Sequence, residues 1–171
     1  KALDLGSPRG FDRAVALLAA RLRRAVGGAD VDAVRAAVGV LEVDWARTTP
    51  AQRRRLVADA LVAAGRATAI IPDRIQVPLG DAAQEVVAAT RTQARRAQGL
   101  AIAADLNALD RRVIRHIVSS QGNFVRDEYG RRLDGFGEGA RRIVADGLER
   151  GLGRDDLEAE LERAARAVLV E

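Results

Sequence analysis

A single histidine limits the catalytic chemistry that this sequence could support. Any Ser-His-Asp arrangement must use His116 as the base, with Ser119 or Ser120 as the nucleophile. Asp110 or Glu128 would then have to orient the imidazole. Ser119 and Ser120 follow His116 by three and four positions, a spacing that equally places all three side chains on the surface of one helix. We therefore expect no catalytic residues and a role other than that of an enzyme.

Metal-binding and phosphate-binding motifs are equally sparse. The sequence contains no cysteine, which excludes disulfides and thiolate zinc sites. Glu158, Glu160 and Glu162 are two positions apart, so on a helix their side chains point in different directions. The glycine-rich run 135–139 has neither a preceding strand nor a following Lys-Ser/Thr pair, so glycine there favours a loose helix start or close helix packing. We expect no metal and no cofactor.

Arginine is the most informative polar residue. The chain has one lysine and 27 arginines, a net charge of +4 and a pI near 10.7. Two clusters are candidate contacts for an anion or for DNA: Arg53, Arg54, Arg55, Arg111, Arg112 and Arg115. The first cluster falls in the opening turns of a predicted helix, where the helix dipole disfavours each cation by roughly 0.3–1 kcal/mol. A phosphate backbone or an acidic protein surface would compensate this charge; solvated side chains in a chain rich in GC-encoded residues are the alternative.

The periodicity of apolar residues indicates helices throughout. Of 171 residues 48% are apolar, and they recur at steps of three and four with almost no strand-like alternation. We predict an all-α bundle of about six or seven helices. Short connectors, such as the one at Gly27 and Gly28, favour mostly antiparallel neighbours. Charged residues interrupt every apolar stretch, so we expect no membrane span.

Capping residues and apolar stripes locate the first three helices. The first helix should end at Gly27, and its stripe consists of Phe11, Val15, Leu18, Leu22 and Val26. Asp30 is predicted to cap the second helix, which places Trp45 on the same face as Val34, Val38 and Leu41. The sequence from Thr49 to Gln52 is a capping box with proline at the first helical position, and it starts the third helix.

Two prolines predict an internal boundary. Pro72 and Pro78 bracket a connector that we expect to be extended, because proline blocks continuation of a helix. Asp81 would cap the next helix, which fades near Gly99. This predicts a basic N-terminal helical region, residues 1–79, and a C-terminal helical region, residues 80–171. Residues 1–80 carry a net charge of +5, whereas residues 131–171 carry −2.

Three further helices complete the prediction. One begins at Asp105, extends to about Tyr129, and buries a face that consists of Leu106, Leu109, Val113 and Ile117. The next starts near Leu133 and stops at the glycines around Gly151. The last has acidic residues in its first turn, and its apolar face consists of Leu157, Leu161, Ala164 and Val168.

A pattern of apolar residues and glycines extends over residues 123–162. Its members are Ile143, Gly147, Leu148, Gly151, Gly153, Leu157 and Leu161. This pattern resembles the helical core of the phage head-morphogenesis, or minor head protein, family. The resemblance covers about a quarter of the chain and consists of helix and turn residues.

The resemblance implies a structural protein of a phage or phage-derived particle that helps head assembly or genome delivery. It implies portal or shell proteins as partners, a place in an oligomer or assembly, and no catalytic residues. Such a protein would be cytoplasmic during assembly and then lie inside the particle, where the arginine clusters could contact DNA without sequence specificity. The alternatives are an arginine-rich helical module that binds nucleic acid and a docking or cargo-loading domain of another protein shell.

Overall fold

The computed structural model describes residues 3–99 and 106–170, and these residues form helices and no strand. The all-α prediction is therefore confirmed. The helices are α1 (Pro8–Val26), α2 (Ala29–Leu41), a short 3-10 helix (Trp45–Arg47), α3 (Pro50–Thr68), α4 (Ile71–Gln98), α5 (Ala108–Glu149) and α6 (Arg154–Leu169). None of these helices is both long and apolar enough to cross a membrane.

The predicted extended connector at 72–78 is wrong, because both prolines lie within α4. Pro72 occupies the first turn, where a missing N–H group leaves no helical hydrogen bond unmade. Pro78 lies inside the helix and cannot donate to the carbonyl of Arg74. Ile75 and Ala82 are buried on one face on either side of this defect, so packing holds the helix through it. Asp81 consequently lies in the middle of α4 and does not cap a helix.

A second predicted break is also absent, since α5 continues for 42 residues through the region where one helix was expected to end and another to begin. Gly130 lies in its interior and lowers helix propensity without ending the helix. The helix begins with a capping box: the Asp110 N–H donates to Asn107 Oδ1 at 2.9 Å, and the Asn107 N–H donates to Asp110 Oδ2 at 2.7 Å. Asp105, the predicted start of this helix, lies outside the described residues.

The helices form two compact units, each assembled from two separated stretches of chain. The first unit comprises Lys1–Gly27 and Pro72–Phe124, and the second comprises Gly28–Ile71 and Val125–Glu171. This division differs from the two consecutive regions, 1–79 and 80–171, that the sequence predicted. Helix α5 contributes its N-terminal part to the first unit and its C-terminal part to the second.

The second unit has a well-developed core. Helix α2 packs against α3 and α6, and the largest side chains that they and α5 bury include Leu41, Trp45, Phe136, Leu157 and Leu161. The predicted burial of Trp45 is correct, although it belongs to the 3-10 helix and not to α2. The expected cap of α2 is not seen: Gly28 occupies the cap position, and the Asp30 carboxylate accepts from the N–H of Val31 at 2.8 Å.

The first unit buries fewer apolar side chains among its described residues 3–27, 72–99 and 106–124. These are Ala14, Ile75, Ala82 and Ile114. Four residues that the sequence placed on buried stripes are instead exposed, namely Phe11, Val15, Leu109 and Val113. In α5 the buried face is rotated by about one residue from the predicted one, because Ile114 rather than Val113 faces the interior. Ion pairs supplement this small core: Arg21 pairs with Glu85, and the largely buried Arg91 pairs with Asp110 at 2.5 Å.

Glycines bring α5 close to its neighbours in the second unit. A Cβ atom on Gly147 would lie 2.4 Å from Leu157 Cδ2, and one on Gly137 would lie 2.7 Å from Leu61 Cδ1. Leu157 is 1% exposed and has little room to move. The expectation that glycine here permits close helix packing is therefore met at Gly137.

We predict that Gly147→Ala lowers the free energy of unfolding by about 1–3 kcal/mol, because the new methyl group overpacks the core against Leu157. Gly130→Ala is the matched control on the same helix, since nothing lies within 4 Å of its Cβ position. It should raise the stability by up to about 1 kcal/mol through helix propensity. Thermal and urea unfolding measure both. Equal stability changes of the same sign would contradict the close approach.

Candidate functional site

The structure does not assemble a catalytic triad around His116. His116, Ser119 and Ser120 are exposed on α5, and the Ser120 hydroxyl donates to the carbonyl of Ile117 at 3.1 Å. The carboxylate of Asp110 is already engaged by Arg91 and by the cap of α5. The residues that could supply a nucleophile and a base thus lie as separate groups on one helix surface.

The other candidate carboxylate, Glu128, belongs to a cationic cluster in the second unit. Arg131 donates to Glu128 Oε2 at 2.7 Å, and Arg132 donates to Oε1 at 3.1 Å. These hydrogen bonds hold the pKa of Glu128 below its ordinary value. The guanidinium of Arg132 also lies 5.7 Å from the ring centre of Tyr129, whose pKa is raised by burial and by the charge of Asp30. Glu128 therefore stays ionised and bound to arginine.

The three glutamates of α6 do not form a metal site. Glu160 pairs with Arg150 at 3.5 Å, and Glu162 pairs with Arg166 at 2.7 Å. Within residues 3–99 and 106–170, no group of three or more acidic or histidine side chains is arranged to hold a metal ion.

The first arginine cluster divides into three different environments. Arg53 is half-buried and donates to the Thr48 hydroxyl at 3.1 Å and to the Thr48 carbonyl at 2.9 Å. Arg55 is exposed and lies 3.8 Å from Asp59, one turn further along α3. Arg54 is exposed and makes no ion pair with any described residue. Arg53 is thus held by neutral groups and keeps an uncompensated charge, Arg55 lies near a carboxylate, and Arg54 has no ion-pair partner among the described residues.

The second cluster remains wholly available in the first unit. Arg111, Arg112 and Arg115 are exposed on α5, and none forms an ion pair with the part of the chain that the structure describes. The complete first unit has thirteen basic and seven acidic residues, a net charge of +6, whereas the second unit carries −2. The excess positive charge is thus concentrated where these three arginines lie.

A small cavity in the second unit is lined by Arg53, Arg54 and a third arginine, Arg141, which the sequence did not indicate. Its lining consists of Pro50, Arg53, Arg54, Val57, Arg141, Val144 and Ala145. Arg141 is exposed and forms no ion pair with a described residue. It lies on α5, nearly ninety positions from Arg54, so no local spacing could have revealed this neighbourhood.

The residues that carry the family resemblance lie in the C-terminal part of α5, in the connector that follows it and in α6. Gly151 has a positive φ of 70°, the Leu152 N–H donates to the Gly147 carbonyl at 2.8 Å, and the Gly151 N–H donates to the Leu148 carbonyl at 3.1 Å. This is a Schellman ending, which glycine favours because it adopts positive φ without strain. Leu157 then packs onto Gly147. The pattern therefore builds a tight helical hairpin.

Comparisons with known proteins identify no relative. No protein-family model matches the chain, and neither the curated proteins nor the solved structures include a significant match.

We predict that Arg53→Gln and Arg54→Gln have different effects on stability although each removes one charge from the same turn. Arg53→Gln should lower the free energy of unfolding by about 1–2 kcal/mol, because both hydrogen bonds to Thr48 are lost. Arg54→Gln should change it by less than about 0.5 kcal/mol, since the side chain is exposed and unpaired. Urea unfolding of the two variants decides this, and equal losses would argue against the Thr48 contacts.

Proposed function

We propose that the chain is a structural and interaction protein of a phage or phage-derived particle. Its role would be that of a minor head component in head assembly or genome delivery, with no catalysis of its own. The observation that carries the proposal is the pattern of residues 123–162, which resembles the minor head protein family. In support, its central residues make one continuous element, the α5–α6 hairpin closed by Gly147 and Gly151.

The surface of the first unit suits a protein that works through contacts. Phe11, Val15, Leu109, Val113 and Phe124 expose between 45% and 64% of their area, although large apolar side chains are more often buried. In the proposed assembly another protein covers these side chains. The proposed partners are portal or shell proteins within an oligomer or larger assembly. The chain would be cytoplasmic during assembly and then lie inside the particle.

The proposal predicts that the chain co-sediments with particles. Capsid-sized particles from the source organism would be separated on a density gradient, treated with nuclease and moderate salt, and analysed by mass spectrometry. We expect peptides of this chain to remain in the particle fraction, while ribosomal proteins, the control for adventitious co-sedimentation, are depleted. Recovery of the chain only outside that fraction would overturn the proposal. Recovery in a shell that lacks portal and tail proteins would favour the docking or cargo-loading alternative.

A second candidate function, non-specific binding of nucleic acid, is favoured by the charge of the first unit. Its net charge of +6, and three arginines on α5 that form no ion pair with a described residue, provide the kind of basic surface that contacts a phosphate backbone. The chain has only five aromatic residues, too few for a surface that stacks bases. Binding would therefore depend on phosphate contacts and on salt rather than on base sequence.

We predict that the triple variant Arg111→Gln, Arg112→Gln and Arg115→Gln flattens the salt dependence of duplex DNA binding. The slope of log K against log[salt] should fall by about 0.9 for each arginine that contacts a phosphate. The matched control replaces Arg66, Arg142 and Arg163 with glutamine; all three are exposed in the second unit and form no ion pair with a described residue. Fluorescence anisotropy at several salt concentrations gives the slopes. Identical slopes for the two variants would reject the α5 cluster as the contact.

A further inference from the structure

The cavity lined by Arg53, Arg54 and Arg141 combines an apolar floor with a cationic rim. It lies between the N-terminal part of α3 and the C-terminal part of α5 and has a volume of about 220 Å³. Val57 and Val144 lie at the base and are only 1% and 3% exposed, so the apolar surface open to a ligand comes from their exposed neighbours Pro50 and Ala145. Pro50 and Ala145 complete the wall without adding a charge. The cavity lies entirely within the second unit.

The three arginines at this cavity differ in how firmly they are held. Arg53 is fixed by its two hydrogen bonds to Thr48, so its guanidinium is positioned before any ligand arrives. Arg54 and Arg141 are exposed and form no ion pair with residues 3–99 or 106–170. They come from two different helices and can reach anionic groups on either side of the opening. The rim is thus selective for negative charge, although the second unit as a whole carries −2.

The size and chemistry of the cavity define what it can bind. Sites for cofactors and other small molecules occupy roughly 300–1,000 Å³, so a cavity of about 220 Å³ suits a single side chain better. A free phosphate or a nucleic-acid backbone would use the arginines but would leave the exposed apolar surface of Pro50 and Ala145 uncovered. A leucine-sized side chain would cover this apolar surface, and carboxylates on either side of it would pair with the arginines of the rim.

We propose that this cavity is a docking site for an acidic segment of a partner protein, which places one apolar side chain against Pro50 and Ala145, above the buried valines, and its carboxylates on Arg54 and Arg141. The inference rests on the proposed function for the class of partner, a protein. It does not require the partner to belong to a particle. Peptide binding is measured with the purified chain and is independent of co-sedimentation with particles. Either experiment can therefore fail while the other succeeds, which keeps the two proposals distinguishable.

The test uses a blocked peptide that has a leucine between two pairs of glutamates. Two matched peptides replace either the leucine with glycine or the glutamates with glutamines. Titration followed by amide NMR gives the affinity and shows whether the signals of Val57, Val144 and Ala145 move. We expect the acidic leucine peptide to bind at this cavity and each altered peptide to bind at least about tenfold more weakly.

Variants of the protein separate the rim from the floor. Arg54→Gln combined with Arg141→Gln should weaken binding of the acidic leucine peptide by about tenfold or more, whereas Arg142→Gln, an exposed charge outside the cavity, should change it by less than about twofold. Ala145→Trp fills the cavity without altering charge and should abolish the preference for leucine over glycine. Thermal unfolding confirms that each variant is folded.

Three results would overturn the proposal. Equal binding of the leucine and glycine peptides would reduce the site to general charge attraction. Competition by a short duplex DNA at the same amide signals, with higher affinity than the peptide, would make it a nucleic-acid contact. Absence of any binding at millimolar peptide would show that the cavity receives no such segment.

Discussion

The closeness of α5 to α3 and α6 is the constraint on which the second unit depends. Without side chains at Gly137 and Gly147, the α5 backbone comes within contact of Leu61 and Leu157. The same logic extends through the core, in which fully buried alanines line the helix contacts at Ala33, Ala37, Ala60, Ala64, Ala140 and Ala165. Small residues let the helices approach closely. The resulting close packing adds dispersion and hydrophobic stabilisation to what the few large buried side chains provide.

The two units differ in how they place their large apolar side chains. The second unit places Trp45, Phe136 and the leucines of α6 inside, so its stability rests on burial. The first unit leaves several large apolar side chains outside, relies in part on ion pairs such as Arg91 with Asp110, and concentrates the positive charge. Among the described residues, burial of large apolar side chains is thus concentrated in the second unit, and the net positive charge of the sequence lies in the first.

Local signals in the sequence predicted what local physics controls. The capping box from Thr49 to Gln52 and the glycine stops at Gly27 and Gly151 are confirmed, because each depends on residues within one turn. The connector at 72–78 was wrong because packing on both sides of Pro78 outweighs one missing hydrogen bond. At the candidate site the arginines of α3 were visible in sequence, but their separate partners were not. Arg141 could not be anticipated, since only tertiary structure brings it to the cavity.

The discontinuity of the second unit has a consequence for synthesis on the ribosome. Helices α2 and α3 are made before residues 72–124, yet Trp45 and Val57 share their core with Phe136, Leu157 and Leu161. At a synthesis rate of about 5–20 residues per second, several seconds pass between the synthesis of α3 and that of the helices that cover α2 and α3. During that interval its apolar face is open to chaperones or to a neighbouring nascent chain. A chain truncated before α5 is complete would lack the helices that close the core of its second unit.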